Sequence, residues 1–165
     1  MPITSEEYRE ALRHFPSGVT ILTIKAGDVK HGLTVSAFAS VSPEPPLIAV
    51  MIDQRHHAYP LLETEGAVFA VSILRQDQEE LSNRFAWVKD EDRFAVGDWI
   101  TATTGAPVLA DAEAWLDCTI HDRFAAGTHT VYLGEVQASR VPEPDVAPLL
   151  YWNRGYRHIF IHEDE

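Results

Sequence analysis

The chain has 165 residues, 45% hydrophobic and 23% charged, with 13 basic against 25 acidic residues and a formal net charge of −12. That length suits one domain, residues 1–165, with enough apolar surface to fold without staples. The acidic balance excludes the basic face that nucleic acid or an anionic membrane needs, and the single cysteine excludes a disulfide framework or a cysteine metal cluster.

The first residues, MPITSEEYRE, are polar and acidic rather than a signal peptide. The apolar runs, such as residues 47–52, are too short to span a bilayer, so a cytoplasmic protein is expected. Thr4 and Glu7 form a capping-box pair, and Tyr8, Ala11, Leu12 and Phe15 follow at helical spacing. The spacing predicts an amphipathic helix that ends at Pro16 and Gly18. Residues 19–25 (VTILTIK) read as a strand, followed by a turn at 26–28, a second strand over 29–37 and a doubly buried strand over 47–53 (LIAVMID).

Ala58, Leu61 and Leu62 suit a short helix stopped at Gly66, and residues 67–74 (AVFAVSIL) suit another strand. A helix is predicted over 77–86, with Asp77 and Glu80 as its cap pair and Leu81 and Phe85 facing inward. Residues 89–104 are charged and turn-rich, with a short strand at 99–101. Strands over 115–124 and 130–141 flank a hairpin loop at 125–128, with Leu116, Cys118, Ile120 and Asp122 on one face. A Pro-rich connection, 141–148, leads to a last strand over 157–162. Many strands, few helices and no βαβ alternation predict a mainly β antiparallel barrel with a few peripheral helices. No G-x-G-x-x-G follows a strand, so a Rossmann site is not supported.

Residues 32–46, GLTVSAFASVSPEPP, carry Thr34, Ser36, Ser40 and Ser42 between small side chains. Such a stretch lets a planar heterocycle approach backbone N–H groups and hydroxyls. The same hydroxyls can equally serve the local backbone. GLTVSAFASVSPEPPL resembles the flavin-binding signature of the flavin reductase-like, FMN-binding split-barrel family. FPSGVTILT is similar to that family's first strand, GTHTVYLGEV to its late hairpin strand and PLLYWNRGYR to its C-terminal motif. These segments keep the family order over residues 15–157, and they most resemble the short reductase components of two-component aromatic monooxygenases.

The resemblance implies a Greek-key-like split β-barrel, a homodimer, and flavin held near the subunit interface. It lays Thr34, Val35, Ser36 and Ala37 along the isoalloxazine, and Ser40, Val41 and Ser42 at the ribityl chain and phosphate. Residues 53–57 (DQRHH) correspond to a second phosphate-contacting segment, which nominates Asp53, Arg55 and His56; a serine often stands in the family where this chain has His56. Arg84 and Phe85 match the family's Arg/Lys-Phe pair beside the flavin. His129 falls where a family histidine borders the nicotinamide site, and it is the one catalytic candidate. By its position it also reads as a strand-end histidine bonding a carbonyl. Tyr151, Arg154 and Tyr156, with Asn153, can stack on a ring, pair a phosphate or form a dimer surface.

Other candidates are weaker. His56-His57 and the His158/His162 pair are not a recognisable metal-ligand set, so no metal is expected. Cys118 alternates with apolar residues and reads as core. The acyl-transfer motif G-x-S-x-G is missing. The resemblance thus implies an NAD(P)H-dependent reductase of FMN or FAD. Its reduced flavin would diffuse to a separate flavin-dependent monooxygenase. A non-reductase flavin- or haem-binding barrel, a structural barrel, and a flavoprotein reducing another acceptor are the rival readings.

Overall fold

The computed structural model describes residues 2–160. Its elements begin with α1 (Ser5–Leu12), β1 (Ser17–Gly18), β2 (Thr20–Ala26), β3 (Val29–Val35), β4 (Phe38–Pro43) and β5 (Pro46–Asp53). Then come α2 (Tyr59–Leu62), β6 (Val68–Ile73), α3 (Glu79–Trp87), a 3₁₀ turn (Arg93–Ala95), β7 (Trp99–Thr101) and β8 (Pro107–Leu109). The long hairpin β9 (Ala114–Ala126) and β10 (His129–Arg140) precedes the short pair β11 (Leu150–Trp152) and β12 (Gly155–Arg157).

One antiparallel sheet has seven strands in the order β3-β2-β6-β9-β10-β5-β4. Its two edge strands, β3 and β4, are consecutive in the chain and joined only by Ser36 and Ala37. That short link forces the edges together and curls the sheet into a barrel. The barrel stays split beside the link. Phe38 of β4 pairs with Val50, and the Met51 N–H donates to the Ala37 carbonyl at 3.1 Å, so β5 runs on past β4 toward Asp53. This is the split-barrel architecture that the sequence resemblance implies.

Side chains alternate across a pleated strand, and the core follows that period. Leu22 and Ile24, Leu33 and Val35, Ile48, Val50 and Ile52, Phe69 and Val71, Cys118 and Tyr132 fill the barrel. The other face of β2 is also covered: Val19 and Ile21 pack with Leu74, Leu81, Phe85, Leu109 and Leu149 under α3. Burying a side chain such as Phe85 contributes roughly 1.5–3 kcal/mol. Double coverage explains why residues 19–25 read as a continuous apolar run rather than an alternating one.

Several elements depart from the sequence reading. The helix α1 has its capping box, with the Thr4 hydroxyl accepting from the Glu7 N–H at 3.2 Å, but buries no residue: Tyr8, Leu12 and Phe15 are exposed. It rests outside the barrel, tied by the Asn153 N–H to the Arg13 carbonyl at 2.9 Å and by the Trp152 indole N–H to the His14 carbonyl at 3.0 Å. Helix α3 starts at Glu79, and Asp77 is not its cap, because Arg75 holds that carboxylate at 3.1 and 2.7 Å. Residues 38–43, which lie between the strands expected over 29–37 and 47–53, form β4, since Ala39 and Ser40 pair with Ala49 and Ile48. The expected final strand over 157–162 is instead β12, ending at Arg157. Residues 158–160 are irregular, and 161 and 162 lie outside the described residues. Among the described residues, no helix is long and apolar enough to cross a membrane.

Candidate active site

The site follows from β3 being an edge strand. On its free edge, alternate N–H and C=O groups have no ladder partner and face the split. A cleft of about 180 Å³ opens there, lined by residues 33–37, by Met51, Ile52 and Asp53 of β5, and by His56. A second cleft, of about 470 Å³, shares Thr34 and Ser36 with the first. Its other walls are Ser82, Asn83 and Trp87 from α3 and Tyr151, Arg154 and Tyr156 from the β11–β12 hairpin. A third, of about 490 Å³, begins at the other end of the strand, at Lys30, His31 and Gly32.

Local chemistry holds these walls in place. A Cβ on Gly32 would sit 2.4 Å from Phe85 Cε1, so glycine is what lets α3 close on β3. The Thr34 hydroxyl donates to the Ser82 carbonyl at 2.6 Å. The Tyr156 hydroxyl donates to Asn83 Oδ1 at 3.0 Å and lies 2.9 Å from Ser82 Oγ, which locks the hairpin to the helix. Asn153 and Arg154 make the two-residue turn at φ 48° and 62°. Both angles are those of the primed hairpin turn, which asparagine tolerates and arginine adopts at a cost of about 1–2 kcal/mol.

The β5 exit is electrostatically self-contained. Asp53 accepts from the Arg55 backbone N–H at 2.9 Å and from its guanidinium at 3.0 and 2.7 Å. These bonds hold the Asp53 carboxyl well below the usual carboxylate range. His56 Nδ1 accepts from the Ala58 N–H at 3.1 Å. The His56 ring stacks on His57 at 4.2 Å, and His57 meets the edge of His31 at 4.7 Å. Burial first, then the nearby His57, Arg93 and His56, push the His31 imidazole down to about 4.

A pH dependence follows. His31 is neutral in the fold down to about pH 4, whereas in the unfolded chain it binds a proton near the ordinary imidazole value of 6.5. Between those values the unfolded state holds more protons, so stability falls as pH drops through that window. Lowered carboxyls such as Asp53 add a loss of the same sign at more acid pH. His31→Gln is expected to flatten the change in urea midpoint between pH 7 and pH 5. An unaltered pH slope would count against this account.

The structure brings Thr34, Val35, Ser36, Ala37, Asp53 and His56 into one cleft and sets Tyr151, Arg154 and Tyr156 against the same two hydroxyl residues. The Val35 side chain is buried in the barrel, so this residue offers the groove its backbone. His129 stands opposite Asp53 in the β10–β5 register, half-buried, with Nδ1 3.0 Å from Thr128 Oγ1. Arg55 is spent on Asp53. Ser40 and Val41 are exposed on β4, and Ser42 Oγ accepts from the Glu44 N–H at 3.2 Å, a local turn; the three clefts above do not include them. Phe85 is 1% exposed and supports the site from behind. Arg84 braces the next loop, donating to the carbonyls of Arg93 and Asp92 at 3.2 and 2.7 Å.

Ser82, Asn83, Trp87 and His31 escaped the sequence reading. With Leu81 and Phe85 turned inward, the helical period left 82, 83, 86 and 87 on a side that had no assigned neighbour. His31 immediately precedes the GLTVSA segment. Among the described residues, no three His, Cys, Asp or Glu side chains converge as a metal site.

Residues 12–159 match the family described as flavin reductase like domain. The chain is 42% identical over 149 residues to the actinorhodin polyketide dimerase of Streptomyces coelicolor, covering 90% of this chain and 82% of that protein. It is 37% identical to the reductase component of 4-hydroxyphenylacetate 3-monooxygenase from Thermus thermophilus, covering 93% and 96%. Among solved structures it is similar to the flavin reductase HpaC complexed with NADP⁺, with a TM-score of 0.85, 29% identity, and coverage of 94% and 98%.

Proposed function

The chain belongs to the flavin reductase-like family, and from this premise we propose that it uses NADH or NADPH to reduce FMN or FAD held along the free edge of β3. It is an NAD(P)H:flavin oxidoreductase. The observation that carries the site is the groove itself: two clefts meet at Thr34 and Ser36 on an edge strand with unpaired backbone groups. An isoalloxazine needs flat walls and an alternation of donors and acceptors along one edge, and such a strand supplies both.

A bound flavin would supply the electron-accepting ring for hydride from a dihydronicotinamide. No side chain has to move a proton for a hydride transfer. The chain's work is positioning. The backbone N–H groups of 34–37 that point to the free edge would donate to the ring edge that gains negative charge. Tyr151 and Tyr156 supply aromatic walls, and the Ser82, Asn83 and Thr34 bonds keep those walls fixed. His129 pairs with Asp53 at the end of β5 and is assigned to the nicotinamide side by its place in the family motif.

A separate monooxygenase is the proposed consumer of the reduced flavin. Relatives such as the reductase component of 4-hydroxyphenylacetate 3-monooxygenase support this. A second copy of the chain is the proposed cover for the exposed Tyr8, Leu12 and Phe15 of α1 and the neighbouring Trp152. Reliance on NAD(P)H fits the cytoplasm. The test crosses NADH and NADPH with FMN and FAD at 340 nm, with sedimentation at the assay concentration. Flavin-dependent oxidation of at least one coenzyme and a mass of two chains are expected. No oxidation with any pair would refute the reductase, and a monomer would refute the dimer.

A further inference from the structure

The second cleft has two unlike aromatic walls. On the hairpin side the rings are fixed. The Tyr156 hydroxyl donates to Asn83 Oδ1 at 3.0 Å and lies 2.9 Å from Ser82 Oγ, and Tyr151 packs edge to face on Tyr156 at 5.5 Å. On the helix side stands Trp87, which is 76% exposed, whereas Trp152 is 38% and Trp115 7% exposed. An engaged tryptophan buries about 150–250 Å², so this one forfeits most of the stabilisation that its ring could give the fold.

Its backbone is nevertheless held in place. Val88, the C-cap of α3, accepts at its carbonyl from Arg93 Nε at 2.7 Å. A helical side chain leans back over the turn before it, and one turn before Trp87 is Asn83, the partner of Tyr156. A fixed helix end thus carries an unpacked indole to the rim of the groove, which it shares with Tyr151, Tyr156, Thr34 and Ser36.

Such an indole is suited to one electronic state of a ring. Indole has the most electron-rich face of the aromatic side chains. An oxidised isoalloxazine is flat and electron-poor. Taking up a hydride adds two electrons, and the reduced ring is electron-rich and folds about its central axis. A stacked indole therefore attracts the oxidised ring and holds the reduced one less well. The tyrosines and the strand fix where the ring lies, and the indole responds to the electrons it carries.

We propose that Trp87 stacks on oxidised flavin, so that the chain binds its oxidised substrate more tightly than its reduced product. The proposal rests on the flavin reductase reading and deepens it, since a reductase that hands its flavin on must let the reduced form go. By linkage, the same preference lowers the potential of bound flavin below that of free flavin, by about 30 mV for a tenfold ratio at two electrons.

The test is an anaerobic titration of the full chain with FMN and with FAD, each oxidised and then reduced with dithionite. Wild type is expected to prefer the oxidised form roughly tenfold, the upper range for one aromatic pair. Trp87→Ala should bring that ratio close to one by weakening the oxidised complex, and Trp87→Phe should keep part of it. Oxidised flavin bound to wild type should show a charge-transfer absorption to the red of its own bands, absent from Trp87→Ala. Urea midpoints should match across the three proteins, because truncating so exposed a ring leaves no cavity. Equal ratios in wild type and Trp87→Ala, with flavin still bound and still reduced by NADH or NADPH, would overturn the role of Trp87 and leave the reductase reading standing. A Trp87-dependent preference in a chain that oxidises neither coenzyme would uphold the stacking and sink the reductase reading. A wild type that takes up neither flavin would overturn both.

Discussion

Phe85→Ala is expected to lower the unfolding free energy by about 3–5 kcal/mol, read from the urea midpoint at constant slope. Its ring is 1% exposed and lies 5.3 Å from Phe94 and 5.2 Å from Trp99, so truncation leaves a cavity between α3 and the barrel. The same ring dictates glycine at position 32, where a Cβ would approach it to 2.4 Å. Gly32→Ala by itself is expected to cost about 1–3 kcal/mol by overpacking. Combined with Phe85→Ala, the extra methyl should cost much less, because the atom it strikes is gone. Strict additivity in this cycle would show that the close approach does not set the position of α3. Flavin affinity should fall in both single variants, since Thr34 and Ser82 are joined across the same contact.

His129→Ala is expected to slow hydride transfer from NADH or NADPH about 100-fold, the scale of a misplacement of about 1 Å at the reacting atoms. Flavin binding should change little, because His129 pairs with Asp53 and is not among the residues that line the groove. Stopped-flow reduction of pre-bound flavin, read alongside equilibrium flavin titration, separates the two effects. A flavin affinity that collapses while the transfer rate survives would move His129 from the nicotinamide to the flavin.

Much of the fold was legible because strands advertise themselves by period. The β9–β10 hairpin was readable from Leu116, Cys118 and Ile120, and Cys118 is buried among Phe69 and Tyr132, as its neighbours implied. Burial also pushes its thiol up to about 12, which makes it an inert filler rather than a nucleophile. Residues 38–43 carry serines and a proline that signal turns as readily as strands, and pairing with β5 makes them a strand. Helix α3 starts later than its cap pattern suggested because Asp77 found a stronger partner in Arg75.

Local pattern by itself settled the class of fold, the strands and the hydroxyl-bearing segment, since alternation, capping and turn chemistry act between residues close along the chain. The tertiary structure decided which side chains share a groove. Trp87 and Tyr151 face one cleft, and His31 and His57 another, across separations that no local period spans. It also decided which expected ligand-holders were already occupied: Phe85 by the core, Arg55 by Asp53 and Ser42 by its own turn. Long-range proximity depends on how the sheet curls and closes, and that is a property of all seven strands together.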